Sequence, residues 1–196
     1  RGQFGLPERG HLYLCPQRLA KFHPAHDELL RRILETDSDG YLVLIRPENR
    51  DHVVEKLLRR FRRTLGPLAQ RVLFVPPQPG ATFRSLLGVG DVLLDLPHYG
   101  VSLMAYDALA EDLPIVTLPG RLKVERYGLA FHRKLGLMET VVSSAEEYVA
   151  LALRVAADRE FREHLRRQIR ARKHVLFEDM SVVREHERFF EETIAS

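Results

Sequence analysis

The chain has 196 residues, of which 45% are hydrophobic and 29% charged, and its formal net charge is +3. This ordinary globular composition is sufficient to bury one core, so we expect a single domain over residues 1–196. No apolar run approaches the ~20 residues of a membrane span, and the first residues contain neither Met nor an apolar signal region. We therefore expect a cytoplasmic piece of a longer chain with no membrane partner. The lone Cys15 excludes an internal disulfide.

Arginine dominates the basic residues, because only five of the 30 are lysine. Two arginine clusters occur, in the segments LLRRFRRTLG and HLRRQIRARKH. Both alternate with apolar residues at helical spacing and have acidic neighbours, which favours solvated helix faces over a nucleic-acid site. We therefore expect nucleic acid to be an unlikely partner.

The first half of the chain alternates short apolar runs with amphipathic segments. The pattern predicts strands at Leu12–Cys15 and Tyr41–Ile45, a helix entered at Pro24 and stopped at Gly40, and a helix over Asp51–Leu65.

The rest of the predicted fold is arranged around the central stretch, residues 71–120. It contains three apolar runs too short for helices and two helix-length segments between them, which predicts strand, helix, strand, helix, strand. The strands are Val72–Val75, Val92–Leu94 and Ile115–Leu118, and the helices are Thr82–Leu87 and Ser102–Ala110.

Four further elements follow: a helix over Val124–Leu135, a short strand over Thr140–Val142, and helices over Asp158–Lys173 and Ser181–Thr193. Ser143 or Ser144 with Glu147 forms a capping box for another helix that ends near Ala156. The alternation predicts an α/β fold, a Rossmann-like doubly wound sheet of about six parallel strands flanked by helices.

Ligands of such sheets bind beyond the carboxyl ends of the strands, where this chain places PPQPG, PHYGVS and PG. Two residue sets near these ends contain the residue types of chemical sites. His23 and His26 with Asp27 form a weak metal-ligand pattern, and no metal is expected. Asp95, His98 and Ser102 contain the residue types of a hydrolase triad but lack the G-x-S-x-G elbow. Neither G-x-G-x-x-G nor a Walker loop is present.

A phosphate site at the start of a helix fits the pattern better. The segment from Gly100 to Ser102 leads into the helix that starts near Leu103, whose free amides face the strand ends. If the strand order is 3-2-1-4-5, Lys21, after the first strand, should lie across the crevice from this segment, and its ammonium suits a diphosphate. Asp107 is then placed to accept hydrogen bonds from a ribose, although a purely structural carboxylate is equally compatible.

The chain resembles the carboxyl-terminal half of the catalytic region of the O-GlcNAc transferase and SPINDLY family, glycosyltransferases of the GT-B fold. The resemblance covers nearly the whole sequence and rests on the order and spacing of YLCPQRLAKFHPAHDELLRRIL, RVLFVPP, GDVLLDLPHYG, ALAEDLPIVTLPG and RKLGL. It implies the donor-binding domain of an inverting transferase that moves a sugar, most often GlcNAc from UDP-GlcNAc, to Ser or Thr hydroxyls. The implied partners are a UDP- or GDP-sugar, an acceptor protein, the amino-terminal catalytic half and tetratricopeptide repeats. Residues 181–196 should pack towards that half.

The resemblance also assigns residues. Lys21 matches the lysine that contacts the donor diphosphate and stabilises the leaving phosphate, and Asp107 matches the ribose-binding acid. Arg18 replaces a glutamine of the donor site, and Phe83 replaces a histidine near the base. Gln78, Gly100, Ser102 and Leu103 complete the expected donor-binding set.

The departures from the family pattern keep a second hypothesis open. Ser102, Leu103 and Met104 stand where the family has His-Thr-Thr or Asn-Thr-Thr, Gly80 replaces a base-stacking lysine, and Val101 makes the backbone less able to approach a diphosphate. The alternative is a degenerate, non-catalytic scaffold or binding module.

Overall fold

The computed structural model describes residues 1–194 and shows one parallel sheet with helices on both faces. The strands are β1 His11–Cys15, β2 Gly40–Ile45, β3 Val72–Val75, β4 Val92–Asp95 and β5 Ile115–Thr117. Their order is β3-β2-β1-β4-β5 and every pair is parallel, which confirms the predicted doubly wound arrangement.

Eight α-helices lie in the described residues. They are α1 His26–Thr36, α2 Asp51–Thr64, α3 Gly80–Gly88, α4 Met104–Ala110, α5 Tyr127–Leu135, α6 Ala145–Ala157, α7 Arg159–Arg172 and α8 Met180–Ile194. Short 3-10 turns precede or follow several of them, at Gly2–Phe4, Leu19–Lys21, Gly66–Arg71, Lys123–Glu125 and Lys173–Leu176. No helix within this range has both the length and the apolar character needed to cross a bilayer.

The two faces of the sheet support separate core clusters, as alternating side chains of a strand require. Tyr13 and Cys15 of β1 belong to the cluster packed by α1, α2 and α6, whereas Leu12 and Leu14 belong to the cluster packed by α3, α4 and α5. Burial on both faces explains why the strands are apolar throughout rather than alternating.

The predicted sixth strand over Thr140–Val142 is wrong, because the sheet of residues 1–194 has five strands. Only an isolated bridge joins Thr117 to Val141, with the amide of Val142 donating to the carbonyl of Thr117 at 3.0 Å. The pairing cannot extend, since the next residue, Ser143, donates its amide to the Glu147 side chain at the start of α6.

Helix boundaries differ from the predicted ones where caps and turns intervene. The predicted helix from Val124 is instead a 3-10 turn, Lys123–Glu125, followed by α5 from Tyr127. The predicted serine cap of α6 is confirmed at Ser144, whose hydroxyl accepts from the amide of Glu147 at 3.1 Å. The part of the predicted carboxyl-terminal segment at residues 195–196 lies outside the described residues.

Candidate functional site

Lys21 lies at the carboxyl edge of the sheet, against the loop that follows β4. Its ammonium is 4.1 Å from the centroid of the Tyr99 ring, a cation–π geometry. This contact joins the segment after β1 to the segment after β4, as the strand order requires. Partial burial and the neighbouring Arg18 lower the pKa of Lys21, whereas the charge of Asp95 acts in the opposite direction. The crevice therefore contains a cationic side chain that packs on an aromatic ring.

Asp95 is the central acid of this edge. It ends β4, is 2% exposed, and accepts hydrogen bonds from the Val101 amide at 2.8 Å and the Thr117 hydroxyl at 2.5 Å. Burial raises its pKa to about 6, although both hydrogen bonds and Lys21 favour the charged form. The carboxylate thus holds the β4–α4 loop to β5. The sequence pattern suggested Asp95 only as a residue of triad type. An acidic residue at the end of a wholly buried strand is, however, a signal for a carboxylate that joins loops at the sheet edge.

The β4–α4 loop differs from the expected phosphate-binding approach. The Gly100 amide donates to the Val124 carbonyl at 2.8 Å, and the Val101 amide is taken by Asp95. The Val101 side chain is buried in the core, so it does not face the crevice. Both amides are therefore occupied within the protein.

The following helix starts later than predicted. Ser102 has a left-handed φ of 52°, and α4 begins at Met104 and has seven residues, not the predicted nine from Ser102. Leu103 is 76% exposed, so the apolar residue that replaces a family threonine faces solvent.

Three histidines lie beside Lys21 and Tyr99. The rings of His26 and His98 are stacked with centroids 5.6 Å apart, and His23 is 4.6 Å from His98. A His26 ring nitrogen is hydrogen-bonded to the Pro97 carbonyl, and burial is the main cause that lowers the His26 pKa to about 4. These contacts tie the start of α1 to the β4–α4 loop.

Neither small constellation weighed from the sequence is assembled. Asp27 accepts hydrogen bonds from the Arg60 guanidinium and the Thr64 hydroxyl, both at 2.9 Å, which leaves the neighbouring histidines without it. Within residues 1–194 no group of three possible ligands could hold a metal ion. The residues with hydrolase-triad types, for which the sequence did not predict a triad, are likewise not joined, since His98 lies 3.4 Å from Glu125 and Asp95 bonds to Thr117.

The remaining predicted residues lie around the same edge. Asp107 is half-buried in the first turn of α4, and Phe83 is half-buried against the core in α3. The Gln78 amide donates to the Pro76 carbonyl at 2.8 Å, folding the side chain onto its own loop. Arg18 is exposed and lines a cavity of about 480 Å³ between the ends of β1 and β2. The fully buried Gln17, which the sequence did not single out, donates to the Leu94 carbonyl at 2.8 Å.

The chain is thus an α/β protein with a doubly wound sheet, whose polar groups lie at the carboxyl edge where sheets of this kind bind their ligands. The sequence matches the family model described as Glycosyl transferase family 41 over residues 1–184. The chain belongs to this family.

Relatives and solved structures agree with the family assignment. The chain is 34% identical over 156 residues to a probable UDP-N-acetylglucosamine–peptide N-acetylglucosaminyltransferase SPINDLY of Oryza sativa, covering 78% of this chain and 16% of the relative. It is 26% identical over 171 residues to the corresponding transferase of Caenorhabditis elegans, covering 86% and 14%. The chain therefore spans about one-sixth of these relatives.

Two solved structures share the fold of this chain. A mutant O-GlcNAc transferase of Thermobaculum terrenum superimposes with a TM-score of 0.82 at 26% identity, covering 93% of this chain and 36% of that one. A sucrose-phosphate synthase of Thermosynechococcus elongatus superimposes with a TM-score of 0.68 at 20% identity, covering 100% and 48%, and shows the fold alone. The expected GT-B donor-domain architecture is confirmed.

Proposed function

We propose that this chain is the donor-binding half of a glycosyltransferase that moves a sugar, GlcNAc from UDP-GlcNAc, to Ser or Thr hydroxyls of proteins. The observation that carries the proposal is the position of Lys21 against the β4–α4 loop in a chain of family 41. A nucleoside diphosphate placed at this edge would have the Lys21 ammonium beside its phosphates. Other UDP- or GDP-sugars fit the same chemistry.

The reaction in this proposal is an inverting displacement. The acceptor hydroxyl attacks the anomeric carbon while the nucleoside diphosphate leaves, and negative charge grows on the leaving phosphate. Lys21 stabilises that charge electrostatically, with Arg18 as a second cation near the same segment. Asp107, Gln78 and Phe83 are the residues we assign to the ribose and base. The proposal assigns no metal ion, because Lys21 carries the countercharge.

The acceptor site and the proton-handling groups belong to an amino-terminal catalytic half, which we propose as the partner of this domain together with tetratricopeptide repeats. The support is α8, an amphipathic helix with no buried residue. Its apolar side chains Val182, Phe189 and Phe190 are 46%, 60% and 58% exposed. We propose that this face packs on the missing half and that the whole enzyme acts in the cytoplasm.

A degenerate, non-catalytic module is the second candidate. Leu103 and Met104 offer no hydroxyl where the family has two threonines, and the amides of Gly100 and Val101 are occupied. This candidate keeps the fold and loses nucleotide affinity.

Isothermal titration calorimetry of the 196-residue chain against UDP, GDP, UDP-GlcNAc and GDP-fucose tests the proposal. We expect saturable binding of at least one diphosphate that Lys21→Met weakens and Lys56→Met, on the exposed face of α2, does not. Absence of binding by all four ligands would favour the degenerate module.

A further inference from the structure

A concave basic surface lies beside the candidate site, between the turn Lys123–Glu125 and the outer face of α5. Its volume is about 670 Å³, and we call it the basic groove. It is lined by Lys123, Arg126, Tyr127, Leu129, Ala130 and Arg133. The groove therefore combines three cations with an aromatic ring and an aliphatic floor.

The charges of the basic groove are not neutralised within residues 1–194. Lys123, Arg126 and Arg133 form no ion pair there, and Arg126 only donates to the Gly120 carbonyl at 3.1 Å. Glu125, which adjoins Arg126 in the chain, is turned inward: its side chain is 11% exposed and accepts from the Leu122 amide at 2.8 Å. The three cationic side chains of the groove therefore lack a paired carboxylate within the described residues.

The dimensions favour a peptide over a nucleic acid. Arg126 is the N-cap residue of α5 and Arg133 lies seven residues further on, in its last turn, so their Cα atoms are separated by about 10.5 Å along the helix axis. In a peptide with polyproline II conformation, which has three residues per turn, side chains three residues apart lie on the same face and are separated by about 9 Å. Three cations can neutralise about three phosphates, which is few for a nucleic-acid site, because backbone phosphate contacts supply most of the affinity of such sites. Exposed Leu122, at 63%, adds apolar area beside the groove.

The basic groove lies close to the proposed donor site. The Val124 carbonyl accepts from the Gly100 amide at 2.8 Å, and Glu125 lies 3.4 Å from His98, so the groove adjoins the β4–α4 loop. Tyr99 of that loop contacts Lys21. A polypeptide in the groove would thus pass beside the proposed donor site.

We propose that the basic groove binds an acidic segment of the acceptor protein in polyproline II conformation, with acidic side chains three residues apart on Arg126 and Arg133. This inference rests on the proposed function, since it names the class of acceptor. Surface ion pairs contribute modestly and are screened by salt, so the segment acts as an addition to the acceptor site and not as a replacement for it.

Fluorescence anisotropy tests the inference without any nucleotide, using the 196-residue chain and a labelled twelve-residue peptide with Glu at every third position and Ser and Ala between. The comparison peptide has Gln in place of Glu. We expect the Glu peptide to bind at least tenfold more tightly than the Gln peptide at low salt, with the difference shrinking as salt is raised.

Matched charge-reversal variants distinguish binding in the basic groove from a general effect of the net charge. Lys123→Glu with Arg133→Glu, which breaks no hydrogen bond or ion pair of the described residues, should weaken the Glu peptide about tenfold or more. Arg59→Glu with Arg62→Glu on α2 changes the net charge equally and should leave the affinity within twofold. Equal losses in both variants, or equal binding of the two peptides, would overturn the inference. So would tighter binding of an oligouridylate that is lost only in the groove variant. Nucleotide binding is measured separately, so the proposed function and this inference fail independently.

Discussion

The Lys21 ammonium sits over the Tyr99 ring at 4.1 Å, and this contact joins the two loops that form the crevice. A phosphate ligand must compete with the ring for the ammonium or bind to its outer side. The contact holds the cation near the strand ends before any ligand arrives. Lys21 is therefore the residue whose removal is most informative.

We predict that Lys21→Met weakens the binding of UDP or GDP by roughly ten- to 150-fold. A hydrogen bond to a charged group contributes about 1.5–3 kcal/mol, and each 1.4 kcal/mol is tenfold in affinity. Asp107→Asn should weaken nucleotide binding less than Lys21→Met does, because the amide oxygen still accepts from a ribose hydroxyl. Calorimetry measures both, with Lys56→Met as the control. Unchanged affinity in the Lys21 variant would place the diphosphate elsewhere.

Restoring hydroxyls at the start of α4 should strengthen nucleotide binding. Leu103→Thr with Met104→Thr returns the two family threonines at positions that are exposed and half-buried, so the fold should tolerate the change. If the parent chain binds no diphosphate and the double variant does, the degenerate-module candidate is supported. The paired variant Leu103→Val with Met104→Val has similar shape without hydroxyls and should bind like the parent.

Asp95→Asn should alter the pH dependence of stability. The pKa of Asp95 is about 6 in the folded chain against an ordinary value of 3.8, so the folded state holds more protons between these values. The contribution of Asp95 to stability therefore rises as pH falls through 6 and is lost as pH rises. The free energy of unfolding of the parent, relative to Asp95→Asn, should decrease by about 2–3 kcal/mol from pH 4 to pH 7. Urea titrations followed by circular dichroism measure this difference, and a constant difference across that range would contradict the assignment.

Gly128 should tolerate no side chain. A Cβ there would lie 2.1 Å from Asp95 Oδ2 and 2.6 Å from Thr117 Oγ1, inside the buried hydrogen bond between them. We expect Gly128→Ala to lower the free energy of unfolding by about 1–3 kcal/mol. Gly80→Ala is the matched control, because a Cβ at Gly80 meets nothing within 4 Å and alanine should be neutral or stabilising by about 0.4–1 kcal/mol. Thermal unfolding distinguishes the two, and similar melting temperatures would refute the packing argument.

Periodicity was enough to predict a doubly wound parallel sheet, because every strand is a short apolar run buried on both faces. With the strand order 3-2-1-4-5 it also placed Lys21 beside the β4–α4 loop. It overestimated the strand at Thr140–Val142, since β-branched residues there satisfy strand propensity while the cap of α6 ends the pairing after one bridge.

The details of the β4–α4 loop could not be read from the sequence. Gly100 appeared to be a glycine for ligand approach, yet its amide is bonded to Val124, a contact between residues distant in the chain. The role of Asp95 depends likewise on Thr117, 22 positions away. Such pairings follow from tertiary packing and leave no local signal.

Because the side chains of α8 are exposed, its backbone hydrogen bonds should open more readily than those of the sheet. A 15-residue helix with no buried side chain is close to the length at which isolated helices are marginal in water. Its amides should exchange with deuterium on a timescale set by local fraying, whereas the β1 amides should require global unfolding. A partner that covers Phe189 and Phe190 would slow exchange in α8 alone, which makes this helix a built-in reporter of assembly.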